Sequence, residues 1–337
     1  MGLISMLYKF LLTLLIFSIT TSCSLTKKDL LTHEVLLPEN WQAQIALPLE
    51  DRVIKESKLN IQDFIKQWKQ VNTIDYKGIE SESELQIKLI KKYIRVLPKS
   101  VYDFLSNKVA GIILVEDLNI PLVIQSVSSE SGHFLIFLDS KINSLGLNDW
   151  YTWREFSAFG QEDSNFVIEA FLSHKNSQKD TFNYVISQAV ALILSADTKL
   201  FPKDLSKQPL KNLNFIKRSW INNKGIIQSH HDNLLDEMRY LSFYGGSTRT
   251  FTRDKIYSFY QRLEKTNFVN LYSTTGALRD FVESIAVYMH VYIFGKPFQI
   301  DFYESETLLE SYSHCLNLPR CLGKKKDLTK ILNQHIN

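Results

Sequence analysis

Thr181-Phe182-Asn183-Tyr184-Val185-Ile186-Ser187-Gln188-Ala189 lies inside a run, residues 180–194, whose apolar spacing decides how the rest of the chain is read. Phe182, Ile186, Ala189 and Ile193 recur at steps of three and four, which places them on one helical face. Val185 and Leu192 widen that face, so the run reads as a buried helix. Upstream, residues 111–115, 122–124, 134–138 and 166–168 are short apolar runs between polar or glycine-containing connectors, as expected for strands of one sheet. Downstream the helical period returns: in residues 233–240, after Thr252 (Ile256, Phe259, Tyr260, Leu263), and over residues 277–294. Thr274 or Thr275 is placed to cap that last helix, Gly295-Lys296-Pro297 ends it, and residues 298–303 read as a final strand.

Ahead of the sheet, residues 41–107 read as helical. Asn60 opens a helix carrying Ile61, Phe64, Ile65, Trp68 and Val71. A second, over residues 82–96, aligns Leu85, Leu89, Tyr93 and Val96, and a third begins after Ser100. The expected fold is therefore α+β: a small mixed sheet, a buried helix and a mostly helical C-terminal half, behind a helical N-terminal segment.

A second frame lies on the late helix. Phe268-Val269-Asn270-Leu271-Tyr272-Ser273 is followed by Arg279-Asp280-Phe281-Val282-Glu283-Ser284. Together with the stretch around Tyr184, it resembles the lethal-factor-like gluzincin metallopeptidases, over about residues 105–310. In those enzymes the buried helix carries Thr-aromatic-x-His-Glu-x-small-His-Ala, and a later segment reads Ser-x-Tyr followed by Glu-Asp-Phe-Ala-Glu. The resemblance implies a zincin-like helix at residues 180–194, a third-ligand helix near residue 280, and Tyr272 at the position of the transition-state tyrosine.

It also implies that the chemistry is gone. Tyr184 and Gln188 stand at the two histidine positions, Val185 at the general base and Arg279 at the glutamate ligand. Valine has no proton to move, and a guanidinium repels a dication. No metal, cofactor or catalytic residue is expected in this frame. Arg279 and Glu283, four apart, are expected to pair, with Arg279 filling the former metal pocket. Two alternatives stay open: ordinary core sequence, and a metallopeptidase with displaced ligands among His174, His230, His231 and His290. Adjacent His230 and His231 point about 100° apart on a regular helix, which does not suit one ion.

The N-terminus reads as an export signal. Lys9 is followed by a run of about ten mostly apolar residues, roughly half of a bilayer span, and then by Thr20-Thr21-Ser22-Cys23. This stretch resembles a bacterial lipoprotein signal, which implies cleavage of residues 1–22, acylation of Cys23 and a tether over residues 23–40. Two or more acyl chains anchor firmly at about 0.8 kcal/mol per buried methylene. Ser24 gives no aspartate signal for inner-membrane retention, so an outer-membrane lipoprotein of the cell envelope is expected. Simple secretion and an uncleaved anchor are the alternatives.

Thirty-nine basic against thirty-six acidic side chains give no field that suits nucleic acid. Lys324-Lys325-Lys326 reads as a solvated helix start or a weak headgroup contact. Cys315 and Cys321 are spaced for a disulfide around Pro319 in an oxidising compartment. With residues 108–337 taken as the inactive metallopeptidase-like domain, the expected partners are the membrane, through lipid, and a peptide or protein. A purely structural lipoprotein is the remaining alternative.

Overall fold

The computed structural model describes residues 32–336 apart from 56–59, 73–82, 117, 119, 129–130, 161–165, 197–199 and 245–250. The expected signal and Cys23 therefore lie outside the described residues. No described helix is long and apolar enough to cross a membrane.

The chain is α+β. Strand β1 (Val53–Lys55) precedes helices α1 (Ile61–Asn72), α2 (Ser83–Ile94) and α3 (Lys99–Lys108). Strands β2 (Val109–Val115), β3 (Leu122–Ser126) and β4 (Phe134–Asp139) follow, forming with β1 a mixed sheet of order β1-β2-β4-β3. β1, β2 and β4 run parallel, and β3 is an antiparallel edge. Both faces of β2 and β4 are covered, which is why they read as unbroken apolar runs. Ile113, Leu135 and Phe137 meet Trp41, Phe64 and Trp68 on one side. Ile112, Leu114, Ile136 and Leu138 belong to the larger core on the other.

Helix α4 (Leu147–Ser157), strand β5 (Phe166–Phe171) and helix α5 (Gln178–Ser195) come next, α5 being the predicted buried helix. Its N-cap is Ser177, whose hydroxyl accepts from the Asp180 amide, and residues 180–191 are buried throughout. The hairpin β6 (Trp220–Asn223) and β7 (Ile226–Ser229) leads through a short helical turn, Asp232–Leu235, to α6 (Lys255–Leu263). Helix α7 (Ala277–Tyr288) runs into a π-turn, Met289–Ile293. Strands β8 (Gln299–Glu304) and β9 (Thr307–Ser313) then precede α8 (Leu322–His335).

Several expectations are corrected. The fourth apolar run, β5, pairs with β8 in a second, antiparallel sheet, so the four runs do not form one sheet. Residues 33–40 are not a bare tether: Val35 and Leu36 are buried, and the Trp41 indole donates to the Val35 carbonyl at 2.7 Å. A Cβ on Gly111 would run into that indole. No boundary falls at residue 107, because β1 joins the sheet and one core extends from Leu49 to Ile336. On α2 the buried face is Ile90, Tyr93 and Ile94, while Leu85 and Val96 are exposed. Gly276 caps α7 without a side-chain bond; the Thr274 and Thr275 hydroxyls bond the Leu271 and Tyr272 carbonyls. Cys315 and Cys321 form the predicted disulfide. Lys324 is buried against Asp280 rather than solvated.

Candidate functional site

Tyr184 and Gln188 stand one turn apart on α5, so both reach the face that α7 packs against. Between them, from α7, comes Glu283, a carboxylate with no solvent exposure. Its Oε2 accepts from Tyr184 Oη at 3.0 Å, Arg154 Nη1 at 3.0 Å and Asn270 Nδ2 at 2.6 Å. Its Oε1 accepts from Gln188 Nε2 at 2.6 Å. Asn270 is set by a tight turn in which its Oδ1 takes the Ser273 amide.

The cation comes from α4. Arg154, also without exposure, lies 4.0 Å from the Tyr151 ring centroid and donates through Nη2 to Glu155 at 2.9 Å. Glu155 in turn accepts from Tyr260 at 2.8 Å. One guanidinium thus bridges two buried carboxylates. Burial works against the Arg154 charge, but Glu283 and the surrounding phenols outweigh it and hold its pKa well above the usual value. Burial pushes the Glu155 carboxyl up, with Arg154 opposing. Burial, joined by Glu283, lifts the Tyr184 phenol well above its usual value, so it stays a protonated donor.

The polarity of this cluster is the reverse of a metal centre. Around a metal, acceptor lone pairs converge on a cation; here four donors converge on an anion. A protonated phenol and the NH₂ of an amide are not zinc ligands, and Val185 is a buried apolar residue. Among the described residues no group of three His, Cys, Asp or Glu side chains is placed to hold a metal ion.

The sequence placed Tyr184, Gln188, Glu283 and Tyr272 in one region, and the fold brings them there, but two assignments change. Arg279 does not pair with Glu283 or fill the pocket; it is exposed, 5.4 Å from the Tyr272 ring centroid. Arg154 takes both roles. The spacing rule favoured the neighbour on the same helix, whereas the true partner lies 129 positions away. Arg154, Glu155 and Asn270 were missed. The one available signal was the Arg154-Glu155 pair set between the aromatic stretch Trp150-Tyr151-Thr152-Trp153 and Phe156.

The candidate histidines do not gather. His290 is buried near Tyr184, its Nε2 within 3.0 Å of the Leu172 and Pro297 carbonyls, and burial lowers its pKa to about 4. His230 contacts the Lys217 carbonyl, His231 packs on Phe268, and His174 packs on Phe171.

Beside the cluster opens a cleft of about 820 Å³, reaching in to Gln188 and lined by Trp220, Tyr244, Tyr272 and Arg279. Its wall includes residues 120–122, at the start of the edge strand β3. The Asp139 amide donates to the Pro121 carbonyl and the Val127 amide to the His133 carbonyl, so odd-numbered residues of β3 face β4. Leu122 and Ile124 therefore turn their backbone groups toward the open edge. No family model, curated protein or solved structure matches the chain.

Proposed function

We propose that this chain is a non-catalytic, lipid-anchored protein of the bacterial envelope, with a zinc-peptidase-like domain that has lost its metal site and binds a peptide or protein partner in the cleft beside Gln188. The observation that carries the reading is the convergence of Tyr184, Gln188, Asn270 and Arg154 on Glu283, at the edge of that cleft. Donors saturating a carboxylate leave no group there to bind and activate a metal-held water. β3 ends its sheet among the described residues, and an extended chain can add to a terminal strand in a mode of binding that needs no metal.

Purified protein incubated with zinc and a mixture of unstructured peptides should retain peptides and leave them uncut, as read by mass spectrometry. Cleavage that disappears in Glu283→Gln would overturn the reading. The anchor has its own test: labelled palmitate should be incorporated by the expressed full chain and not by Cys23→Ala.

A further inference from the structure

We infer that the cleft takes the C-terminal carboxylate of a peptide, seated between the Arg279 guanidinium and the first turn of α7; this rests on the peptide-binding reading of the same cleft. Among the charged side chains lining it, Arg239 pairs with Asp232 at 3.7 Å and Asp204 with Lys207 at 3.0 Å. Lys203 and Arg279 have no carboxylate partner among the described residues.

Arg279 is the better placed of the two. Its guanidinium packs on the Tyr272 ring, and Nη1 lies 3.9 Å from where a Cβ of Gly276 would be. The cation thus folds back over the start of α7, whose first amides have no intrahelical acceptor. Gly276 offers no capping side chain, and the Thr274 and Thr275 hydroxyls are spent on nearby carbonyls. A guanidinium at the positive end of a helix dipole is unfavourable alone, and an anion between them relieves both.

A second observation identifies the anion as a chain terminus. Gln188 is only 5% exposed yet lines the cleft. Its NH₂ must face Glu283, because a carboxylate only accepts, so its carbonyl oxygen is the free end. That oxygen has no donor among the described residues. A peptide's last residue carries the two groups this space lacks: a carboxylate for Arg279 and, beside it, an N–H for Gln188. The aromatic walls suit an apolar terminal side chain, and the volume falls within the roughly 300–1,000 Å³ of ordinary ligand pockets.

The test uses the full mature chain and a defined library of N-acetylated tetrapeptides, made once as free acids and once as C-terminal amides. The acids should be retained and the amides not, and Arg279→Gln should weaken retention about tenfold, the scale of one charge-assisted contact. Circular dichroism should show Arg279→Gln folded, since the residue is exposed. Equal retention of acids and amides, or no effect of Arg279→Gln, overturns this inference and leaves the cleft as a peptide site. Retention of neither library overturns the peptide-binding reading itself.

Discussion

Helix α7 carries two buried carboxylates three residues apart, and they have opposite designs. Asp280 meets one cation: Lys324 of α8 reaches both its oxygens, at 2.6 and 2.8 Å, with Trp220 and Ser284 as further donors. That pair balances its charge and clasps the C-terminal helix to the core. Glu283 shares its cation with Glu155 and takes most of its bonds from neutral donors on α5 and the Asn270 turn. One is a fastening. The other has more acid than base: one guanidinium serves two carboxylates, and three neutral donors complete the shell of Glu283.

The difference predicts unequal damage. Arg154→Met strands two buried carboxylates and should destabilise the protein by about 3–5 kcal/mol, measured by denaturant unfolding. Lys324→Met strands one that keeps two donors, and should cost roughly 3 kcal/mol or less. A larger loss at Lys324 than at Arg154 would reverse the contrast drawn above.

Acid should act next. Burial lowers both His290 and His314 to about 4, below the unfolded value near 6.5. The unfolded chain therefore binds more protons in that interval, and stability falls as pH drops from about 6.5 toward 4. The slope is at most about 1.4 kcal/mol per pH unit for each histidine. His290→Asn should flatten it, as read from unfolding midpoints across that range. The smallest effect is expected for Tyr184→Phe, which removes one of Glu283's four donors and should cost about 1–2 kcal/mol with no change in fold.

Legibility in the sequence followed locality. Helix α5 was readable because its apolar period is written into contiguous residues, and β2, β3 and β4 because burial on both faces leaves unbroken apolar runs. No periodicity along the chain marks Tyr184, Gln188 and Glu283 as neighbours, because their meeting depends on α5 packing against α7. Arg154 left only a faint trace, an Arg-Glu pair among aromatic residues. Its partner is chosen by how α4 and α7 both pack against α5, and no spacing along the chain encodes that choice. The same reason explains β5, whose composition marks a strand without saying which sheet it joins. Lys324 failed differently: a lysine run looks solvated until one member is found buried against a carboxylate 44 positions away.

The most direct test of the reversed polarity around Glu283 is equilibrium dialysis of the purified protein against zinc, with bound metal counted per chain for wild type and Glu283→Gln. The account predicts no stoichiometric zinc in either protein. One tightly held zinc per wild-type chain, lost in Glu283→Gln, would mean that the carboxylate serves a metal after all, and would contradict it.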